Sequence, residues 1–304
     1  MKVIQIADGL RFPEGPIALA DGSVLVVEIA AGCLSRIRAG QRSVVAQLGG
    51  GPNGAAIGPD GRCYICNNGG FRWTERDGKL LPSLTADDYQ GGRIEAVNLS
   101  TGAVEVLYRQ CGEVPLNGPN DIVFDAHGGF WFTDHGHAHK RSRDRGVVYY
   151  ALPDGSSIRQ AIFPMETPNG IGLSPDGRTL YVSESITARL WAFDITAPGT
   201  VGRGTRNIVG GVGRLVAGLG GFQLFDSLAV DSDGNIHVGT VPSGISIIAP
   251  DGRLLEQIAL PDPFTTNLCF AGPGRKTVYA TQSSTGRLVA FEGTRAGLEL
   301  QYHA

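Results

Sequence analysis

The chain has 304 residues, with 45 glycines, 17 prolines, 42% hydrophobic and 18% charged residues, and a formal net charge of −3. That balance excludes a disordered chain, which would be poor in apolar residues and rich in charge, and it offers no electrostatic footing for nucleic acid. Many glycines beside only 8% aromatic residues suit short strands joined by tight turns.

The first segment, MKVIQIADGL, reads as a strand and lacks the charged region plus apolar stretch of a signal peptide. No apolar run approaches the roughly 20 residues of a membrane span. Five cysteines are an odd number for a disulfide framework. Cys63 and Cys66 lie three apart in a strand-like run, on opposite faces, so they do not form a chelating pair. Reduced structural thiols and the absence of a leader together predict a cytoplasmic protein.

Six segments then repeat one pattern of a polar residue, an apolar run, a Gly-rich turn and a second apolar run. In chain order they are EGPIALADGSVLVVE, NGAAIGPDGRCYICN, NDIVFDAHGGFWFTD, NGIGLSPDGRTLYVS, DSLAVDSDGNIHVGT and NLCFAGPGRKTVYAT. Four of the six turns carry the D-G hairpin signal. A third strand-like run follows each, from CLSRIRAG to GRLVAFEG. With one outer strand more, the arithmetic predicts an all-β, six-bladed β-propeller, four antiparallel strands per blade, in one domain over residues 1–304. The opening VIQIA and closing LELQY are expected to share the blade that closes the ring. The longest insertions, residues 71–92 and 136–146, follow the second and third hairpins and are placed to cover one end. The basic run Lys140 to Arg145, broken by Asp144, reads as a solvated loop.

One column of the repeat carries chemistry. Seven residues before the turn stand Glu14, Asn53, Asn120, Asn169, Asp226 and Asn267. Inner strands line the axis of a propeller, so these six carboxylate and amide residues are predicted to form a ring. Fourteen residues after each stands a second polar column, Glu28, Asn67, Asp134, Ser183, Thr240 and Thr281, expected to support the first. A lone inner-strand Asn would only hydrogen-bond channel water. Two carboxylates facing each other in a closed ring are costly unless a cation joins them. The hard oxygen donors favour one Ca²⁺, with Mg²⁺ and Mn²⁺ as alternatives, and Zn²⁺ less suited because the column holds no His or Cys.

At these residues the chain resembles the SMP-30/gluconolactonase (regucalcin-like) family. The resemblance rests on FPEGP around Glu14, GPNDIVF around Asn120, GGFWFTD ending at Asp134 and PNGIGLSPDGRTLYVSES around Asn169. FDSLAVDSDGNIHVGT around Asp226 and TTNLCFAGPGRKTVYAT around Asn267 continue it. It implies a metal-dependent lactonase with Glu14, Asn169 and Asp226 as cation ligands and Asp226 as general base. It also implies that Asn120 touches substrate or joins the cation. Asn53, Asn267 and Glu28 fall behind them. The chain departs from the family where Gly118 replaces an Arg, and where WFTD continues into His135, His137 and His139. Asn67, Asp134 and His135, with Arg72 and Trp73, are the further candidates for substrate contact.

Residue chemistry and resemblance agree on a cation that polarises a lactone carbonyl while Asp226 takes a proton from water. The expected partner is a small-molecule lactone, sugar or aliphatic, and neither nucleic acid nor membrane. A phosphotriesterase-type hydrolase and a non-catalytic propeller that binds a protein are the rival readings. No G-x-S-x-G elbow and no Gly-rich nucleotide loop is present.

Overall fold

In five of the six repeats an Asp near the hairpin turn caps backbone N–H groups of the turn. Asp21, Asp60, Asp125, Asp176 and Asp231 accept from turn N–H groups at 2.8–3.3 Å. The glycine beside or after each, such as Gly22 at φ +80° and Gly177 at +67°, takes the left-handed conformation that side chains resist. In the third and fifth repeats the capping acid is Asp125 and Asp231, two residues ahead of the aligned position.

The computed structural model describes residues 1–202 and 213–303. Six antiparallel sheets follow one another along the chain. Blade 1 is Pro13–Ala18, Val24–Glu28, Cys33–Arg38 and Gln41–Gln47. Blade 2 is Pro52–Ile57, Cys63–Asn67, Arg93–Val97 and Val104–Tyr108. Blade 3 is Pro119–Phe124, Phe130–Asp134, Gly146–Ala151 and Ile158–Met165. Blade 4 is Pro168–Leu173, Thr179–Glu184, Arg189–Ala197 and Arg214–Gly218. Blade 5 is Leu224–Val230, Ile236–Val241, Gly244–Ile248 and Leu254–Ile258. Blade 6 takes Thr265–Ala271, Thr277–Gln282 and Arg287–Glu292 from the end of the chain. Its fourth strand is Ile4–Ala7 from the start, paired with Arg287–Glu292. The fold is a six-bladed β-propeller closed by its N-terminal strand.

The closing segment departs from expectation. LELQY adds no strand to blade 6; it crosses the turn end of the central channel instead. Leu298 N bonds the Val230 carbonyl of blade 5 at 3.0 Å, and Tyr302 packs edge-on against Phe124 of blade 3 at 5.6 Å. Residues 298–303 thereby floor a cavity of about 580 Å³ lined by Ile17, Ile57, Ile122, Leu173, Leu228 and Leu268 of the six inner strands.

The core lies between blades. Tyr64 of blade 2 meets Phe124 and Phe130 of blade 3 at 5.1 and 5.8 Å, and Trp131, Phe130 and Phe132 are fully buried. Each such ring contributes about 1.5–3 kcal/mol on burial. All five cysteines are free. No helix among the described residues is long and apolar enough to cross a membrane.

Candidate functional site

The inner strand of every blade is irregular at the same place. Its register with the second strand shifts between Glu14 and Ile17, Pro52 and Ala55, Pro119 and Ile122, Pro168 and Ile171, Phe225 and Leu228, and Thr265 and Leu268. Each shift spans the ring position. A bulge of this kind re-aims a side chain out of the pleat.

Adjacent blades touch tightly at that level. A Cβ on Gly15 would stand 2.7 Å from the Asn53 carbonyl oxygen, and one on Gly54 2.5 Å from that of Asn120. Hydroxyls on the second strands fix the next blade's ring residue through its backbone. Thr133 Oγ1 donates to the Asn169 carbonyl and Ser183 Oγ to the Asp226 carbonyl, both at 2.6 Å. Between blades 6 and 1, Asn267 Nδ2 donates directly to Glu14 Oε2 at 2.8 Å. Glu14, Asn53, Asn120, Asn169 and Asn267 are buried, and Asp226 is half-buried.

Asp121 is the residue that sequence reasoning missed. It follows Asn120 in the same bulge, is buried, and accepts from the N–H of Ile122 at 2.9 Å. Ser227 Oγ, beside Asp226, donates to Asn169 Oδ1 at 3.4 Å. The signal was available: the residues after the six ring positions are Gly15, Gly54, Asp121, Gly170, Ser227 and Leu268, and only one is charged.

Electrostatically the site is a concentration of negative charge. Burial raises Glu14, and burial together with the Glu14 charge raises Asp226 well above the usual carboxylate range. The same two causes, in the same order, push Asp121 up to about 7. Asn169 is held by Ser185 Oγ on its Nδ2 at 3.0 Å. Asn120 Oδ1 is buried with no hydrogen-bond partner among the described residues. An unpartnered acceptor beside mutually repelling carboxylates is the arrangement that a cation relieves. No three His, Cys, Asp or Glu side chains among the described residues converge as a metal site by themselves. A cation at the ring therefore needs amide as well as carboxylate oxygens, which is what the ring offers.

In blades 1 to 3 the second column supports the chain entering the inner strand. Glu28 accepts from Arg11 N at 2.9 Å and pairs with Arg42. Asn67 accepts from Gly51 N and Gly69 N and donates to the Gly49 carbonyl and Glu95, so its whole amide is engaged. Asp134 accepts from Asn117 N, Gly118 N and Gly136 N at 2.7–3.0 Å. Asn67 and Asp134 are both buried, with Asp134 bonded to backbone N–H groups and Asn67 to backbone groups and the Glu95 side chain. In blade 4 the same duty falls one residue later, on Glu184, which accepts from Glu166 N at 2.8 Å.

The three histidines do not act together. His137 is buried with Nε2 on the Asn68 carbonyl at 2.8 Å, and His139 sits on Asp144 at 3.0 Å. His135 is half-buried next to the site, and burial, with the Arg143 charge, pushes it down to about 4, so it is neutral at neutral pH. Arg72 is exposed and pairs with Asp87 on the outside, whereas Trp73 packs against Phe12 at 5.0 Å.

The model of the SMP-30/gluconolactonase/LRE-like region matches residues 12–284. A gluconolactonase of Zymomonas mobilis is 28% identical over 241 residues, covering 74% of this chain and 59% of that protein. A lactonase, drp35, of Staphylococcus saprophyticus is 27% identical over 245 residues, covering 79% and 67%. The chain thus spans about three-fifths to two-thirds of the length of these relatives. Among solved structures, a Xanthomonas campestris gluconolactonase superposes with a TM-score of 0.75 at 22% identity, covering 95% of this chain and 89% of that one. A regucalcin from Agrobacterium tumefaciens, described as calcium-binding, gives 0.71 at 18%, covering 96% and 95%.

Proposed function

The chain belongs to the SMP-30/gluconolactonase/LRE-like family, and from that premise we propose that it hydrolyses a small lactone at the ring with one divalent cation, Ca²⁺ by preference. The observation that supports the reading is that the carboxylates Glu14, Asp121 and Asp226 repel one another at ring level, in a ring where the Asn120 amide oxygen is buried without a partner among the described residues. Lactonases among its relatives add the reaction class.

Glu14, Asn169 and Asp226 would hold the cation, with Asn120 beside them as a further oxygen. When bound, it supplies positive charge that polarises the lactone carbonyl and offsets the oxyanion formed on attack. Asp226 is the ring carboxylate most open to solvent, which suits it as the base that meets the attacking water. It accepts a proton from the water whose oxygen bonds to the acyl carbon. As the ring C–O bond breaks, Asp226 returns that proton to the departing alkoxide, leaving a hydroxy acid. Asn169, held at its Nδ2 by Ser185, keeps its oxygen towards the ring. Glu14 is fixed by Gly15 N at 2.9 Å and Asn267 Nδ2, and serves as a ligand without moving a proton.

The test is a screen of sugar, aliphatic and aryl-fused lactones, with a phosphotriester alongside, on chelator-stripped protein before and after Ca²⁺ is restored. Lactone hydrolysis that appears only with the cation is the expected result. Turnover of the phosphotriester alone, or lactone turnover indifferent to chelation, would overturn the reading.

A further inference from the structure

A hairpin, Phe71–Arg76 and Lys79–Thr85, leaves blade 2 between its second and third strands and reaches over the ring end. Towards its tip, Leu80 N donates to the Ser284 carbonyl of blade 6 at 2.8 Å, and Glu75 pairs with Arg11 ahead of blade 1. Its base meets the loop of blade 3, where Thr85 Oγ1 donates to the Ala138 carbonyl at 3.3 Å and Phe71 packs on His137. Blades 3 and 6 are opposite one another in a six-membered ring, so the hairpin lies across the mouth. The open side is that of blades 4 and 5, which carry Asn169 and Asp226.

The hairpin's underside is apolar. Strand alternation leaves Arg72 and Thr74 in solvent and puts Phe71, Trp73 and Leu80 in one cluster with Phe12, Ile29 and Phe264. Phe12 stands two residues ahead of Glu14 and Phe264 three ahead of Asn267, so this wall is continuous with the ring. On the open side, Ile186 and Phe222 lie in loops joined by Phe225 N to the Ser185 carbonyl at 3.3 Å, and they are 55% and 77% exposed. Exposed apolar side chains near a site with a few polar groups offer contact area to an apolar ligand. Three positions that could have read sugar hydroxyls are engaged or lack a side chain. Asn67 bonds backbone groups and Glu95, Asp134 bonds backbone N–H groups, and position 118 is glycine.

We propose that the substrate is a lactone bearing an apolar ring or chain, seated under Trp73 between Phe12 and the Ile186–Phe222 rim, in preference to a polyhydroxylated sugar lactone. This rests on the reading of the ring as a lactone-opening centre and adds its substrate class. Trp73 is then a specificity-determining residue of the wall.

Two lactams that keep the ring and carbonyl but resist hydrolysis test it by calorimetric titration of the Ca²⁺-saturated chain: dihydroquinolinone, which is aryl-fused, and glucono-δ-lactam. The aryl-fused lactam is expected to bind at least about 10-fold more tightly, a modest demand on an apolar pocket. Trp73→Ala should cut that preference by about 10-fold, and Thr74→Ala on the outer face should leave it as it is. In kinetics with the matching lactones, the Trp73→Ala loss should fall on KM. The wild-type ratio needs no variant, so a Trp73→Ala chain that failed to fold would still leave a decision. Equal or tighter binding of glucono-δ-lactam, binding of neither lactam, or an unchanged ratio in folded Trp73→Ala overturns the proposal. If the lactams behave as expected but neither lactone is turned over, the apolar site stands and the lactonase reading fails. If sugar lactones are turned over in preference, the reverse holds.

Discussion

Asp226 and Glu14 bring the same charge to one ring, yet their surroundings separate their duties. Glu14 is buried and carries the Gly15 and Asn267 bonds on its Oε2, while Asp226 is half-buried. Under saturating metal, Asp226→Asn keeps an oxygen of the same size but loses the proton acceptor. Lactone turnover is expected to fall by about 10²-fold or more, the usual scale for a general base. Glu14→Gln should instead weaken cation affinity and recover much of its turnover when metal is added. Isothermal titration and kcat at fixed metal occupancy separate the two; near-normal turnover by Asp226→Asn would remove its assignment as base. The ring residues were legible in the sequence because six copies of one column are hard to produce by chance. Asp121 was not legible, because it is charged in one copy alone and its role arises from the bulge that turns it towards the axis.

Among the elements, the second strands link the blades at ring level. Thr133 Oγ1 donates to the Asn169 carbonyl and accepts from Asp121 N at 3.0 Å. Thr133→Val keeps the shape and leaves both backbone groups without that partner, at a cost of about 1–3 kcal/mol each. Denaturant unfolding should report the loss of stability, and cation affinity should fall with it because Asn169 is no longer fixed. A second element test uses the turn of blade 5. Asp231 accepts from Asp233 N and Asn235 N, and from His237 Nε2 at 3.1 Å. Burial opposes its ionisation, but the His237 and Asn235 hydrogen bonds outweigh that and lower its pKa below 3.8. A depressed carboxylate contributes stability in full above its unfolded pKa, and the contribution fades as pH falls through the folded value. Thermal melts from pH 6 down to pH 2 should therefore show Asp231→Asn less stable than wild type near neutrality, with the gap narrowing below about pH 4. A gap that stays constant with pH would contradict this. Hairpins of this kind were readable from D-G turns. The support column was only partly so: in blade 4 the acceptor is Glu184 where the aligned position is Ser183, a one-residue offset that spacing alone does not reveal.

At the scale of the whole molecule, the blade count was plain from the repeat, while the path of the C-terminal tail was not. Residues 294–303 have no copy elsewhere in the chain to calibrate them. An alternating segment such as LELQY fits a strand edge as well as a channel floor. Closure rests on Ile4–Ala7, and deleting residues 1–8 would expose the edge of Arg287–Glu292 to water and to other chains. A lower melting temperature and a tendency to self-associate are the expected results, and an unchanged melt would show that the strand is dispensable.

The central claim is that the propeller gathers six polar residues at one end of its axis to hold a divalent cation for hydrolysis. Calorimetric titration of Ca²⁺ into chelator-stripped protein, wild type beside Glu14→Gln, tests this most directly. One site per chain, weakened at least about 10-fold in Glu14→Gln and accompanied by a rise in melting temperature in the wild type, is the predicted result. Absence of saturable binding, or binding as tight in Glu14→Gln as in the wild type, would contradict it.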